Sequence, residues 1–82
     1  MTIAIADFAE SLVTNDYDFV NAEYPYYSRT NRDGSINEVT LEEAENSLTL
    51  IRYNAPNGRQ IAYETVELTC NAKAQQALRL IA

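Results

Sequence analysis

The sequence predicts a small α+β domain: an N-terminal helix, an antiparallel sheet of about four strands in two hairpins, and a short C-terminal helix. Apolar residues recur at helical spacing near both ends of the chain, branched and aromatic residues alternate between them, and two Gly-containing turn signals interrupt the alternation. With 82 residues, the chain is expected to form a single compact domain, 1–82, with a small core.

The first helix is predicted over residues 3–13. Four apolar residues recur there at the spacing of one helix face: Ile5, Phe8, Ala9 and Leu12. Thr2 is the candidate N-cap. Pro25 disfavours helical geometry at the residue before it, so any second helical turn over Tyr17–Glu23 is expected to end there and strands to follow.

Two hairpins are predicted around "NRDG" at 31–34 and "APNG" at 55–58, because Asp-Gly and Asn-Gly supply the positive-φ positions that tight turns need. In the second hairpin, a four-residue loop places Leu50 opposite Tyr63. One sheet face would then contain Leu48, Leu50, Ile61 and Tyr63. Val66 and Leu68 lie an odd number of residues from Ile61 and Tyr63, so in a regular strand their side chains would point to the other face. Either a bulge intervenes or both sheet faces are partly covered.

The segment between the hairpins allows a competing interpretation. "TLEE" at 40–43 matches a helix capping box, and a helix over 41–53 would replace the first strand of the second hairpin. We favour strands from Ser47 onward, because "LTLIRY" has the branched and aromatic alternation of a strand, with "EEAENS" as a turn or loop.

The last helix is predicted to follow a cap at Asn71. Its apolar face has helical spacing and consists of Ala74, Ala77, Leu78 and Ile81. Arg79 is favourably placed near the negative end of the helix dipole. Both helices are expected to pack against one face of the sheet.

The charge distribution is uneven, with a net charge of -6. Residues 1–28 contain five acids and no Lys or Arg, whereas residues 46–82 contain two acids and four basic residues. Without a basic patch, direct nucleic-acid binding is not expected. Membrane binding is not expected either, because no apolar run approaches the roughly 20 residues that span a bilayer. The acidic half instead suits a protein partner with a basic surface.

The composition excludes much chemistry. The chain has no histidine, and its single cysteine, Cys70, cannot form an internal disulfide; we expect this thiol to be a small buried residue. Residues 29–40 resemble a calcium loop but have Arg29 and Thr40 where acidic ligands belong, so a hairpin turn explains them better. We therefore expect no enzyme activity, cofactor or metal, and a cytoplasmic protein, since the N-terminus lacks the features of a secretory signal.

One stretch stands out, "NDYDFVNAEYPYYSR" at 15–29, which contains four of the six tyrosines and three carboxylates. Tyrosine combines a large rigid ring with a hydroxyl and is enriched at interfaces. Either these rings belong to the scaffold, with solvated acids between them, or they form a partner-binding surface. The residues of that candidate surface are Asp16, Tyr17, Asp18, Glu23, Tyr24 and Tyr26.

The sequence therefore favours a non-enzymatic acidic interaction domain. By analogy of size and charge, it would occupy a basic, nucleic-acid-binding surface of a larger enzyme, as small phage-encoded inhibitors of restriction or CRISPR enzymes do. The alternative is a structural or self-assembling subunit, of a phage particle or a small homo-oligomer, in which acidic and basic halves meet or strand edges pair.

Overall fold

The computed structural model describes residues 5–82 and has the predicted α+β architecture, with one strand more than expected. A 3₁₀ turn, Ile5–Asp7, leads into helix α1, Phe8–Thr14. Five strands follow and then helix α2, Asn71–Ile81. The strands are β1 Asp18–Val20, β2 Tyr26–Thr30, β3 Ser35–Glu42, β4 Ser47–Asn54 and β5 Gln60–Glu67. They form an antiparallel sheet in the order β1-β2-β3-β4-β5.

Both helices cover the same face of the sheet, as predicted. Side chains of the two helices and of the central strands form one buried cluster there, whose largest fully buried members are Leu12, Leu48, Leu50, Ile81, Val39 and Val66. The other sheet face has no helix over it in the described part of the chain, and we call it the open face. No helix in that part is long and apolar enough to cross a membrane.

Helix α1 ends in a Schellman motif that the sequence analysis did not recognise. Asp16 has a left-handed φ of 67°, and the Tyr17 N–H reaches back to the Leu12 carbonyl oxygen at 3.0 Å. This motif directs Tyr17 onto the helix, where it is 3% exposed. No second helical turn forms over Tyr17–Glu23, and strands begin earlier than expected: β1 starts at Asp18, before Pro25, which is why the sheet has five strands. The predicted cap, Thr2, lies outside the described residues.

Both predicted hairpin turns are confirmed. Gly34 has a φ of 88° and Gly58 a φ of 67°, the left-handed values expected at these positions. Residues 41–53 form strands and a turn, and not the competing helix. The β3 strand continues to Glu42, and a turn ending at Asn46, with a φ of 49°, leads into β4.

The predicted register of the second hairpin holds only near its turn. Tyr53 lies opposite Gln60, as a four-residue loop requires, but Arg52 lies opposite Ala62, so a bulge leaves Ile61 as an extra residue. Leu50 therefore faces Glu64 instead of Tyr63, and Tyr63 faces Ile51. Because a one-residue shift moves side chains to the other face, Ile61 and Tyr63 lie on the open face and Val66 joins the core.

The start of α2 differs from the prediction by one residue. Cys70 occupies the N-cap position in extended geometry, and Asn71 is the first helical residue. Cys70 is exposed, so the expectation of a buried thiol was wrong. Main-chain N–H groups, of Lys73 first and then Ala72, lower the pKa of this thiol, although none completes a capping hydrogen bond. The predicted apolar face is confirmed, since Ala74, Ala77 and Ile81 are buried.

Candidate binding surface

The open face is the most distinctive surface of the molecule, and the strand register defines it. Residues directly opposite each other in an antiparallel pair share a face. One row across the sheet therefore contains Asp18, Ser28, Glu38, Ile51 and Tyr63. A neighbouring row contains Val20, Tyr26, Thr40, Thr49 and Thr65. Acidic, hydroxyl, aromatic and branched apolar side chains are thus mixed on one surface.

The open face carries charge of a single sign at its strand positions. Its carboxylates belong to Asp18, Glu38, Glu42 and Glu67. All six basic residues of the chain lie within the described residues, and none occupies a strand position of this face. Arg29 and Arg52 share the register of core residues, Arg32 and Arg59 lie in turns, and Lys73 and Arg79 belong to α2.

Large apolar side chains are also exposed on this face. Ile61 is 56% exposed and Tyr63 is 61% exposed, both as a consequence of the bulge. From the sequence alone, these two residues are expected on the same sheet face as Leu48 and Leu50, which are buried in the structure. Exposed large side chains within a charged surface are typical of interaction sites.

A groove on the open face brings together part of the tyrosine-rich stretch. The loop between β1 and β2 overhangs the sheet and, together with side chains of β2, β3 and β4, encloses a volume of about 400 Å³. We call it the tyrosine groove; its lining is Ala22, Glu23, Tyr24, Tyr26, Glu38, Thr40 and Ile51. Three of the six predicted site residues therefore meet here: Glu23, Tyr24 and Tyr26.

Tyr53 and Glu38 interact beside this groove. The two residues hydrogen-bond through their side chains, and this bond, together with desolvation and the carboxylate charge, raises the pKa of Tyr53 to about 12. Tyr26 adds a smaller contribution in the same direction. The phenol therefore keeps its proton across the neutral range and acts toward the carboxylate as a donor.

The two remaining exposed site residues lie outside the tyrosine groove, and one of them, Asp18, belongs to the open face at its β1 edge. Asp16 and Asp18 line a cavity of about 530 Å³ at the β1 edge, together with Arg29, Thr30, Asn31, Arg32 and Ala82. Two arginines and two acidic residues therefore line the same cavity, so this edge of the sheet has mixed charge. The larger cavity has mixed charge, whereas the tyrosine groove is lined only by acidic and neutral side chains.

Arg29 is committed to the fold. Its Nη1 donates to the main-chain oxygens of Asn15 at 3.1 Å and Ile81 at 3.2 Å, and its Nη2 donates to that of Ala82 at 3.2 Å. Its guanidinium also lies 4.6 Å from the centre of the Tyr17 ring. Arg29 thus links the ends of both helices, a role for which the sequence offered no signal.

Tyr17 belongs to a buried polar network at this end of the core. The fully buried Asn37 donates from Nδ2 to the Tyr17 hydroxyl at 2.9 Å. Its Oδ1 accepts from Asn31 Nδ2 at 2.9 Å and from Arg52 Nε at 2.7 Å. Of the six predicted site residues, Tyr17 is therefore the one whose side chain lies beneath the surface.

The arrangement offers binding chemistry. Among the described residues, no group of three or more His, Cys, Asp or Glu is placed to hold a metal ion. The structure instead defines a small α+β domain with one covered and one open sheet face. Comparisons with protein-family models, curated proteins and solved structures find no match to the chain.

Proposed function

We propose that this protein is a non-enzymatic interaction domain whose open face occupies a basic surface of a larger protein. The observation that carries the proposal is the distribution of side chains: four carboxylates and three tyrosines, Tyr26, Tyr53 and Tyr63, lie on a face whose strand positions contain no Lys or Arg. Arginines adjoin it only at the β1 edge, in the cavity beside Asp18. Such a face attracts a basic partner through charge and contributes aromatic contact area once bound.

The partner surface that fits best is one that binds nucleic acid. Asp18 and Glu38 lie in one row, two strands apart, which separates their backbones by ~10 Å. Carboxylates distributed over a flat sheet present negative charge to a groove whose lysines and arginines otherwise contact phosphates. The proposed activity is inhibition by occupancy, like that of small phage-encoded inhibitors of nucleic-acid enzymes.

Two charge-matched variants test this function. The open-face triple is Asp18→Asn, Glu42→Gln and Glu67→Gln. The control triple is Glu10→Gln, Glu43→Gln and Glu45→Gln, whose residues are exposed in α1 and in the β3–β4 turn. Each removes three negative charges, so the two differ in where the charge is removed.

The measurement is capture of cellular proteins by the tagged domain, with release by salt or by duplex DNA. We expect a nucleic-acid-binding protein to be retained at low salt and released by either treatment. Salt screens the attraction between the two charged surfaces, and duplex DNA competes for the basic surface of the partner. The open-face triple should retain at least tenfold less of that protein, and the control triple should retain nearly the wild-type amount. Equal retention by both triples would contradict the assignment of the open face.

A second candidate function is self-assembly through the sheet edge. The β5 strand is an edge of the sheet, spans Gln60–Glu67 and is mostly exposed. An edge strand of this length presents unpaired backbone groups that a second copy can extend. A mass in solution of twice the 9.2 kDa chain or more, insensitive to salt, would favour this function over the first.

A further inference from the structure

The tyrosine groove has the composition of a site for one cationic side chain. Tyr27 pairs with Val39, so one residue further along the two strands Tyr26 comes beside Thr40, and Glu38 lies opposite Ile51. These four residues from three adjacent strands line the groove on the sheet side. The overhanging loop adds Tyr24, which is 80% exposed. The groove therefore combines the apolar side chain of Ile51 with two aromatic rings and two carboxylates.

The charges of the groove select the sign of its occupant. Glu23 and Glu38 both line it, and no Lys or Arg does. Glu38 is held by Tyr53, yet a carboxylate has about four acceptor positions, so one phenol leaves most of them available. The groove thus offers two carboxylates to a cation and repels phosphate groups.

We infer that the tyrosine groove binds an arginine side chain presented by the basic partner of the open face. This inference rests on the proposed function and names the contact at its centre. A guanidinium is planar, stacks on aromatic rings and donates a fork of N–H groups that matches a carboxylate. Its aliphatic stem would lie against Ile51. A lysine ammonium has the charge but neither the plane nor the fork, so it fits less well.

The test uses peptides of defined composition with the full chain. Hexa-arginine and hexa-lysine, both capped at their ends, are titrated into isotopically labelled protein and followed by amide NMR shifts. We expect hexa-arginine to bind about three- to tenfold more tightly than hexa-lysine. The largest shifts should fall on residues that line the groove, Tyr24, Tyr26, Thr40 and Ile51 among them.

Matched variants separate the groove from general attraction. Glu38→Gln and Tyr26→Leu alter the groove, whereas Glu67→Gln and Tyr63→Leu remove the same groups elsewhere on the open face. Each groove variant should weaken hexa-arginine binding about threefold or more relative to its control. Tyr24→Leu provides the same test at a highly exposed position if Tyr26→Leu does not fold.

The outcomes distinguish the two proposals. Equal weakening by groove and control variants, or equal affinity for the two peptides, would overturn the arginine site while leaving the open face as an electrostatic docking surface. Absence of peptide binding at millimolar concentration would overturn the arginine site. Retention of a basic partner by the wild type but not by the open-face triple would still support the proposed function in that case.

Discussion

At the scale of single residues, the clearest structural role belongs to Arg29. Its guanidinium donates to main-chain oxygens near the ends of both helices and stacks on Tyr17, so it holds three parts of the chain together. A lysine keeps the charge but cannot reach several separated acceptors at once. We expect Arg29→Lys to lower the free energy of unfolding by ~1–3 kcal/mol.

The measurement for Arg29 is urea denaturation followed by circular dichroism. Arg32→Lys is the matched control, because Arg32 is an exposed arginine in the adjacent turn. The free energy of unfolding of Arg32→Lys should lie within ~0.5 kcal/mol of the wild-type value. Equal midpoints for the two variants would show that the contacts of Arg29 contribute nothing to stability.

A second prediction at this scale concerns the Tyr53 phenol. Its pKa of about 12 lies above the ordinary value of 10.0 because Glu38 accepts its proton in a hydrogen bond. The native state therefore holds this proton more tightly than the unfolded state. The stabilisation is complete below pH 10 and is lost as pH rises through the folded pKa.

The titration of Tyr53 is measured by following tyrosinate absorbance against pH in the wild type and in Tyr53→Phe and taking the difference between the two curves. We expect it to be centred near pH 12, and Glu38→Gln should move it toward 10. Circular dichroism on the same samples establishes that the protein stays folded. A difference titration near pH 10 in the folded protein would contradict the hydrogen bond to Glu38.

The tyrosine-rich stretch shows what sequence alone could provide for the site. The alternation of side chains along a strand puts Tyr26 and Tyr27 on opposite faces, and Tyr27 packs against the core. The same reasoning could not place Tyr17, whose burial depends on the left-handed residue before it. An apolar ring directly after "ND" at a helix end is the local signal of a Schellman motif, so this part was readable from the sequence.

At the scale of elements, the hairpin turns provide a sharp prediction. Gly34 has a φ of 88°, and a Cβ built there meets no atom within 4 Å. The cost of Gly34→Ala is therefore backbone strain alone, and we expect a loss of ~1–2 kcal/mol in the free energy of unfolding. Thermal or urea unfolding measures it.

Gly34→Asn is the matched substitution for that experiment. Asparagine tolerates left-handed geometry better than alanine, so its loss of stability should be smaller. If the alanine variant were as stable as the asparagine variant, the turn would have to adopt a different backbone conformation.

The elements also show where sequence patterns stop being sufficient. Both turns and the apolar face of α2 follow from local residue chemistry, and these predictions are confirmed. The bulge beside Arg52 does not follow from it. The loop alone placed Leu50 opposite Tyr63, and the extra residue, Ile61, reversed the faces of everything beyond it. The only sign of the bulge in the sequence was that Val66 would have faced away from Ile61 and Tyr63 in a regular strand.

At the scale of the whole molecule, the separation of charge and packing defines two surfaces. The helices bury one sheet face, whereas the other keeps Ile51, Tyr63 and Ile61 partly or largely exposed beside carboxylates. Exposed apolar groups on a flat sheet favour association between copies. Carboxylates of one sign oppose it, because two open faces brought together would place like charges against each other.

This balance leads to a prediction about self-association. The open-face triple, Asp18→Asn, Glu42→Gln and Glu67→Gln, removes most of the repulsion and leaves the apolar side chains in place. We expect its mass from sedimentation velocity to rise with protein concentration, whereas the control triple at Glu10, Glu43 and Glu45 remains a monomer. High salt should shift the wild type in the same direction as the open-face triple, since it screens the same charges.

The same experiment separates the two candidate functions. If the carboxylates keep the open face free for a basic partner, wild-type protein is a monomer at low salt, and removing charge from that face alone makes it associate. If the protein instead assembles through the β5 edge, the wild type already has a multiple of the chain mass. Its assembly would then change little in either triple, because backbone hydrogen bonds between strand edges depend weakly on these side chains.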